Sequence, residues 1–212
     1  MKRVKEVTIM KSNDEFLVKQ CQNGHLDAFE ELVHKYHQKV YSLCYRFSGN
    51  HDDANDLAQE AFIRVYHSIN KFHFKSAFST WLYRVTSNVC LDEMRKRKRK
   101  SSVSLDSPME TDDGELYFNL PDQKFNPELM AERKDVQEIV HKAIQELPKD
   151  QKLTLLLREM EGFSYDEMAE VMNVSVGTVK SRLSRARNNL KEILVQKTEL
   201  FPDKSHLKGK EV

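Results

Sequence analysis

The chain has 212 residues, with 34 Lys and Arg against 33 Asp and Glu, so its formal net charge is only +1. This length suits one large domain or two small ones. Its three cysteines are odd in number and lack C-x-x-C spacing, which argues against a disulfide framework or a zinc finger and favours reduced thiols. No signal peptide and no bilayer-length apolar segment stand out, so we expect a cytoplasmic location without direct membrane insertion.

Helical periodicity runs through nearly the whole sequence, which has only five prolines and six glycines. We therefore predict an all-α fold of two small helical domains. The first domain spans residues 12–100 and contains a short helix, a long helix that stops at Gly49 and Asn50, and helices at about 52–69 and 78–99. Apolar residues at steps of three and four mark the long helix, namely Phe29, Leu32, Val33, Tyr36, Val40, Leu43, Cys44 and Phe47.

The third helix carries an acidic face. Asp52, Asp56 and Glu60 follow each other at steps of four residues, so their carboxylates line one side of the helix. Carboxylates in such an array can hold Mg²⁺, and a metal-dependent enzyme is one hypothesis. It would need further ligands from another helix, and no Gly-rich phosphate loop, G-x-S-x-G or H-E-x-x-H motif accompanies it. We therefore predict no metal, no cofactor and no catalytic residue.

An aromatic and basic segment, KFHFKSAFST at Lys71–Thr80, leads into the fourth helix, which ends in the run RKRKRK. Aromatic rings stack on unpaired bases and cations follow the phosphates, so this segment predicts a site for single-stranded nucleic acid. We expect Phe78 and Trp81 in the core, whereas Phe72 and Phe74 can serve either the core or a ligand. The basic run alone has a plainer interpretation as a solvated helix end favoured by the helix dipole.

Residues 101–126 break the helical pattern. They are rich in Ser, Asp and turn residues, and residues 104–123 hold six acidic side chains without any Lys or Arg. A connection of this length is uncommon inside a compact domain, so we predict a flexible acidic linker. The second domain follows at 127–196, and residues 197–212 form a polar tail.

Residues 164–190 have the pattern of two helices joined by a tight turn. Ser164 is a candidate N-cap, and Glu167 completes a capping box. Beyond the turn at 173–175, one apolar stripe consists of Val176, Val179, Leu183, Ala186, Leu190 and Leu194. Long cations and small hydroxyls occupy the opposite side, and such side chains contact base edges and phosphates. The pattern predicts a helix-turn-helix whose second helix enters the major groove, although a solvated basic face is the plainer alternative.

Three motifs, taken in order, make the chain resemble bacterial sigma factors of the extracytoplasmic-function (ECF) group. They are DDANDLAQEAFIRVY (Asp52–Tyr66), FSTWLYRVTSNVCLDEMRKRKR (Phe78–Arg99) and YDEMAEVMNVSVGTVKSRLSRARNNLK (Tyr165–Lys191). The resemblance covers about residues 14–195. It implies two helical domains, termed sigma two and sigma four, that recruit core RNA polymerase to promoters. The implied function is promoter-specific transcription initiation, with a stress or cell-envelope regulon as the expectation.

The resemblance also implies roles for individual residues. The acidic face would dock on the coiled-coil clamp of the β′ subunit through Asp53, Asp56, Gln59 and Glu60. Positions around the pocket for a flipped base of the minus-ten element are matched by Phe72, Ala77 and Asn88, to which we add the basic residues Arg84, Arg95 and Arg97. Positions that read the minus-thirty-five element are matched by Lys180, Ser181, Ser184 and Arg185, to which we add Thr178 and Arg182. His73 and Phe74 stand where many members have Arg and Gly.

The implied partners are core RNA polymerase, through the β′ clamp and neighbouring subunits, and promoter DNA as duplex and as single strand. An anti-sigma factor, either soluble or membrane-anchored, is a further expected partner. A stand-alone helix-turn-helix regulator that binds DNA as a dimer is the main alternative, but it leaves the acidic face and the aromatic segment unexplained. The twenty-six linker residues reach roughly 85 Å when extended. That length spans two promoter boxes that lie ~70 Å apart at two duplex turns.

Overall fold

Helices account for the regular structure of the chain, as predicted. The computed structural model describes the backbone of residues 13–101 and 127–200 and the side chains of 13–96 and 136–197, and these ranges contain no strand. Residue 12, most of the linker (102–126) and the end of the tail (201–212) lie outside the described residues. The α-helices are α1 (13–22), α2 (Leu26–Ser48), α3 (His51–Ser68), α4 (Phe78–Ser101), α5 (Pro127–Gln145), α6 (Lys149–Leu155), α7 (Tyr165–Met172) and α8 (Val176–Leu200).

Two short non-α segments join these helices. A 3₁₀ turn at Ile69–Lys71 follows α3, and a π-helical turn at Leu156–Met160 extends α6. None of the described helices combines the length and the apolar character needed to cross a bilayer.

The N-terminal unit, α1–α4, is built around α2. Leu43 and Phe47 of α2 are fully buried, and burial of one such side chain stabilises a fold by about 1.5–3 kcal/mol. Gly49 ends α2 in the left-handed conformation (φ 91°), where a residue without Cβ meets no steric penalty. The buried Asp14 carboxylate ties α1 to α2, because it accepts hydrogen bonds from Lys35 Nζ and Tyr36 Oη, both at 2.6 Å. Burial, together with Asp14, raises the pKa of Tyr36.

In the C-terminal unit, α5–α8, helices α6 and α7 pack against α8, and the π-helical turn packs against α6 and α7. Its fully buried side chains come from every part of this arrangement, namely Leu153, Leu156, Leu157, Met168, Val171, Val179, Leu183 and Ala186. The apolar stripe predicted for α8 therefore faces the core at Val179, Leu183 and Ala186, whereas Val176 at the helix start is half-buried. Leu190 and Leu194, farther along α8, are only half-buried.

The two units contact each other at the C-terminal end of α2. The last carbonyl groups of a helix lack intrahelical partners. Here Gln145 Nε2 donates to the Arg46 carbonyl (2.8 Å), and Lys152 Nζ donates to the Phe47 carbonyl (3.1 Å). Lys152 Nζ also donates to Gln145 Oε1 (2.6 Å), which links the two capping side chains. The C-terminal unit thus completes the hydrogen bonding of a helix in the N-terminal unit.

A second set of contacts joins the units around Glu161. One carboxylate oxygen lies 3.6 Å from Arg46 Nη1, and the other accepts a hydrogen bond from the Tyr83 hydroxyl of α4. The Tyr83 ring also meets Phe163 edge-on, with ring centroids 5.0 Å apart. Burial, and then the nearby Glu161 carboxylate, raises the pKa of Tyr83, so this phenol stays protonated and keeps donating.

Lys152 is the least expected member of this interface, because a lysine is seldom buried without an anionic partner. Its side chain is only 3% exposed, and its ammonium lies 5.5 Å from the centroid of the Phe47 ring. Burial lowers the pKa of Lys152 to about 8, since desolvation disfavours the charged form. His141 lies nearby, stacked on Tyr45 at 5.4 Å, and burial lowers its pKa as well.

We expect the stability difference between the wild type and Lys152→Met to depend on pH. In the unfolded chain Lys152 keeps its proton up to about pH 10.5, whereas in the folded chain it releases it from about pH 8. Between these values the unfolded state binds more protons, so the wild type gains stability as pH rises, by about 1–3 kcal/mol. The methionine side chain cannot titrate, so the variant lacks this gain.

Urea unfolding of both proteins at pH 7, 8.5 and 10 measures the effect. Tyr36, Tyr83, Cys21 and Cys90 also have raised pKa values, but they are present in both proteins and cancel in the difference. A difference that stays constant over this pH range would show that Lys152 is solvated in solution.

Candidate nucleic-acid interface

The helix-turn-helix forms where it was predicted, and side-chain caps begin both of its helices. Ser164 Oγ accepts from the Glu167 N–H (3.2 Å) and Glu167 Oε2 accepts from the Ser164 N–H (2.9 Å), which confirms the capping box. Asn173 ends α7 in the left-handed conformation (φ 51°), which Asn tolerates better than most residues. Ser175 Oγ then accepts from the Thr178 N–H (3.1 Å) at the start of α8. These bonds define the residues at which α7 and α8 begin.

The basic face of α8 lies in solvent, as the pattern indicated. Lys180, Ser181, Ser184 and Arg185 are all exposed. Arg185 Nε donates to the Ser181 carbonyl (3.3 Å) and Nη2 lies 3.4 Å from Ser181 Oγ, so the guanidinium lies along the helix. Both bonds are long and solvent-exposed, so the guanidinium can exchange them for base or phosphate acceptors at little cost.

Two further candidates on α8 are engaged within the protein. Thr178 is half-buried, and its hydroxyl lies 2.9 Å from Ser175 Oγ at the helix start. Arg182 is half-buried as well, with Nη2 3.8 Å from an Asp150 carboxylate of α6. The structure therefore separates Arg182 from the exposed face that holds Lys180, Ser181, Ser184 and Arg185.

One aromatic residue of this surface was missed from sequence. The Tyr165 ring lies between two cations, with Lys180 Nζ 5.7 Å and the Arg158 guanidinium 4.9 Å from its centroid. Cations are attracted to the face of such a ring, so Tyr165 holds Lys180 beside the first turn of α7. Tyr165 directly follows the N-cap Ser164, and no periodic signal marks it out.

The aromatic segment before α4 divides into core and surface. Phe72, Phe78 and Trp81 are each less than 8% exposed, and their ring centroids lie 5.2–5.9 Å apart. This confirms Phe78 and Trp81 as core residues and adds Phe72 to them. Gln22 Nε2 of α1 fixes the segment, because it donates to the Ile69 and Phe72 carbonyls at 2.9 Å each.

Phe74 is the residue of this segment that stays partly at the surface. Its backbone adopts φ 56°, a left-handed conformation that is rare for a bulky side chain and costs about 1–2 kcal/mol. Its ring meets Phe72 edge-on with centroids 5.0 Å apart, and Lys19 Nζ lies 5.6 Å from its centroid. It also borders an open cavity of about 270 Å³, whose other lining residues are Asp14, Glu15, Phe72, Lys75, Ser76, Ala77 and Phe78.

Helix α4 presents the other candidates for this site along one stripe. Arg84, Asn88 and Arg95 follow at steps of four and seven residues, which places them on one helix face. Asn88 and Arg95 are exposed, and Arg84 is half-buried. Arg95 Nη1 donates to Asp92 Oδ1 (3.0 Å), an exposed pair of little net stability. The side chain of Arg97 lies outside the described residues.

The acidic face of α3 borders a groove shared with α4. Asp53 is held at the helix start, because Asn50 Oδ1 accepts from its N–H (2.8 Å) and Asn50 Nδ2 donates to its carboxylate (2.6 Å). Asp56 and Gln59 are exposed, and Glu60 accepts from Arg64 Nε (2.7 Å). All four candidates thus lie around one open groove of about 330 Å³, together with Leu57, Ile63, Arg64, Val89, Glu93 and Lys96.

Ile63 is the second feature missed from sequence. It is 44% exposed and lies in the acidic groove, off the buried stripe of α3. Four carboxylates and two cations line this groove, so an exposed apolar side chain in a net acidic setting suits a partner that combines basic and apolar groups. Within the described residues, no group of three or more His, Cys, Asp or Glu could hold a metal ion.

Comparison with known proteins identifies both units. Residues 32–100 match the Sigma-70 region 2 family, and residues 137–190 match the Sigma-70 region 4 family. The first match contains the acidic groove and the aromatic segment, and the second contains the helix-turn-helix.

Several bacterial relatives are similar over most of their length. The RNA polymerase sigma-H factor of Pseudomonas aeruginosa is 39% identical over 189 residues, which cover 88% of this chain and 96% of the relative. The ECF RNA polymerase sigma factor SigW of Bacillus subtilis is 36% identical, with 84% of this chain and 94% of the relative covered. The ECF RNA polymerase sigma-E factor of Escherichia coli K12 is 37% identical, with 82% and 90% covered.

Solved structures agree in fold. The sigma factor RpoE of Bartonella quintana, in complex with the anti-sigma factor NepR, has a TM-score of 0.58 and 27% identity, and the match covers 78% of this chain and 96% of that one. CnrH in complex with the cytosolic domain of CnrY has a TM-score of 0.61 at 23% identity and covers 87% and 98%, which shows the likeness of the fold.

We expect Ser164→Ala to destabilise the C-terminal unit by about 1 kcal/mol, because it removes the hydroxyl that accepts from the Glu167 N–H and donates to Glu167 Oε2. Thermal unfolding followed by circular dichroism measures this. Ser184→Ala is the matched control, since this exposed serine lies in a helix interior where Ala is the better helix former. Equal melting temperatures for the wild type and Ser164→Ala would show that the capping box contributes nothing measurable.

Proposed function

This chain belongs to the ECF group of RNA polymerase sigma factors, which direct promoter-specific transcription initiation, and we propose how its surfaces divide that work. The N-terminal unit docks on core polymerase and takes the minus-ten element, and the C-terminal unit reads the minus-thirty-five element. One observation carries the proposal: α3 exposes an acidic groove while α8 exposes a basic face, so the two surfaces suit partners of opposite charge.

The polymerase dock is the groove between α3 and α4. Asp53, Asp56, Gln59 and Glu60 surround the exposed Ile63 there. A basic helix with one apolar side chain would place that side chain against Ile63 and its cations against the carboxylates. The coiled-coil clamp of the β′ subunit is the partner we assign to it. Complementary charge of this kind speeds association and fixes orientation.

The minus-ten site combines the cavity at the aromatic segment with the stripe on α4. Phe72 and Ala77 line the cavity, and Arg84, Asn88, Arg95 and Arg97 lie along the helix that leaves it. A base displaced from the duplex enters the cavity, and the cations of α4 follow the strand that carries it.

The minus-thirty-five site is the exposed face of α8. Lys180, Ser181, Ser184 and Arg185 reach base edges or adjacent phosphates in the major groove. Thr178 and Arg182 act within the protein, Thr178 at the helix start and Arg182 by its pair with Asp150.

Promoter binding requires the two units to separate. In the structure the two units are in contact, and we call this the closed form. In the closed form α4 contacts α7, and α7 packs on α8. Packed helix axes lie 8–10 Å apart, so α4 and α8 are separated by only ~20 Å where they approach each other. Two promoter boxes two duplex turns apart lie ~70 Å from each other. A linker of twenty-six residues allows this opening, since its extended reach is roughly 85 Å.

The partners follow from these surfaces. They are core polymerase, promoter DNA as duplex and as single strand, and an anti-sigma factor, since the structural neighbour RpoE was solved in complex with the anti-sigma factor NepR. The chain acts in the cytoplasm, where core polymerase and promoters are, and it supplies specificity without catalysis of its own.

We expect Asp56→Lys with Glu60→Lys to abolish binding to core polymerase, because the acidic groove would then repel a basic partner. Co-purification of the full chain with core polymerase measures binding, and far-UV circular dichroism checks the fold. Glu30→Lys with Glu31→Lys is the matched control, since it makes the same charge change at exposed positions of α2. Normal core binding by the Asp56/Glu60 variant would contradict the assignment of the dock.

We expect Arg185→Ala to change the preference at one position of the upstream box, because loss of a base contact costs ~1–3 kcal/mol at that position. Run-off transcription with core polymerase on a promoter pool randomised in the upstream box measures this. Lys142→Ala removes an exposed cation on α5, away from the proposed face of α8, and should leave the preference unchanged. A uniform loss on every promoter would instead assign Arg185 to the phosphate backbone.

A further inference from the structure

The side chain of His141, on α5, lies between the two units. Its ring stacks on Tyr45 of α2, with centroids 5.4 Å apart, and it hydrogen-bonds the backbone of Gly49 at the end of the same helix. The other ring nitrogen, Nε2, is buried and has no hydrogen-bond partner among the residues that the structure describes. The histidine thus belongs to the C-terminal unit but is covered by the N-terminal unit.

These surroundings suit the neutral imidazole and oppose the charged one. A neutral ring carries one N–H, which donates to the Gly49 backbone, and leaves Nε2 without a hydrogen. Protonation adds an N–H at Nε2, where the described residues offer no acceptor. A buried charged donor without an acceptor is costly, so the closed form disfavours the protonated ring.

The charges around His141 add to this effect. They are cations from both sides of the contact, namely Arg46 of α2, Lys152 of α6 and Lys142 on α5 itself. Burial is the main cause that lowers the pKa of His141, and these cations lower it further, whereas the bond to the Gly49 backbone raises it. A proton on His141 would therefore add positive charge to a cluster that is already positive.

The carboxylate of this region is already engaged. Glu161, after the π-helical turn, lies 3.6 Å from Arg46 Nη1 and accepts from the Tyr83 hydroxyl of α4. The hydrogen bonds described for Lys152 go to neutral oxygens. His51 of α3 lies 4.5 Å from the tyrosine ring at which the two units meet, measured between centroids. A further cation here would therefore lack a counter-ion among these groups.

We propose that His141 makes the contact between the units an acid-sensitive latch, which is closed while the ring is neutral and opens when the ring takes up a proton. In the open form the ring is solvated, so both of its nitrogens can donate to water. The latch does not depend on the proposed function, but its consequence rests on it. Because the closed form is too short for two promoter boxes, a fall in internal pH would raise the share of chains that can bind them.

The direction of the effect follows from the protons bound in each form. The open form takes up the proton at the ordinary pKa of 6.5, whereas the closed form takes it up only at lower pH. Above pH 6.5 the ring is neutral in both forms, so closure keeps its full stability. Below pH 6.5 the ratio of open to closed chains rises by up to about tenfold per pH unit, until the closed form is protonated as well. Lys152 stays largely protonated in this range, since its pKa is about 8.

Small-angle X-ray scattering of the full chain at pH 7 and pH 5.5, at constant ionic strength, measures the opening. A compact chain of this length has a radius of gyration of about 17 Å. The twenty-six linker residues span roughly 28 Å on average, so the open form should have a clearly larger radius. Far-UV circular dichroism at both pH values checks that the helices persist.

We expect the wild type to be compact at pH 7 and to expand at pH 5.5. His141→Asn keeps a donor near the position of Nδ1, and His141→Phe keeps a ring on Tyr45. Neither side chain titrates, so the variants should be compact at pH 7 and stay compact at pH 5.5. His34→Gln replaces an exposed histidine on α2, about three turns before Tyr45, and should expand like the wild type.

A wild-type radius that is the same at both pH values overturns the latch, and so does an expansion with loss of helical signal, which is acid unfolding. Expansion of both His141 variants at pH 5.5 to the wild-type extent would show that another group senses the acid. If both variants are already extended at pH 7, His141 serves packing alone and the latch is overturned as well. These measurements involve neither polymerase nor DNA, so failure of the latch leaves the proposed function intact.

Discussion

The C-terminal end of α2 is the place on which the arrangement of the two units depends. Its last carbonyl groups face the other unit, and a buried carbonyl without a donor costs about 1–3 kcal/mol. Gln145 and Lys152 supply the donors, and Glu161 binds Arg46 of the same helix. Gln145 lies on α5, Lys152 lies on α6 and Glu161 follows the π-helical turn, so these contacts place the C-terminal unit against α2. Direct packing of α7 on α4 adds to these contacts.

This interface combines hydrogen bonds with apolar contacts, since the Tyr83 and Phe163 rings meet across it and buried apolar residues of both units form one cluster. Carbonyls, a lysine and a carboxylate can exchange their partners for water or for another protein, whereas separation of the units would expose the apolar contacts, and this favours the closed form. The exposed working surfaces, the acidic groove of α3 and the basic face of α8, take no part in it. The closed form therefore keeps both surfaces accessible but holds them too close together for two separate promoter boxes.

Features that depend on residues close together in the sequence were predicted correctly, whereas contacts between distant residues were not. The capping box at Ser164 and the buried stripe of α8 depend on residues a few positions apart, so spacing alone predicts them. The bond from Lys152 to the Phe47 carbonyl joins residues 105 positions apart, and no periodicity encodes it. The left-handed backbone conformation of Phe74 was not predicted for another reason. Such a conformation is expected at Gly or Asn and seldom at Phe. Partner binding depends on exposed residues. The fold does not require particular residues at these positions, so fold-level patterns do not predict their roles.

The π-helical turn at Leu156–Met160 makes the arrangement of the two units sensitive to the deletion of a single residue. A π-turn holds one residue more than an α-helical turn, and each residue rotates a helix by about 100°. On one side of this turn Lys152 reaches α2, and on the other Glu161 and Phe163 reach Arg46 and Tyr83. Deletion of a single residue here would restore α-helical phase and rotate everything downstream, while the cap, turn and reading face of the helix-turn-helix stay intact. One codon in this segment can thus change how the two halves meet without changing what either half recognises.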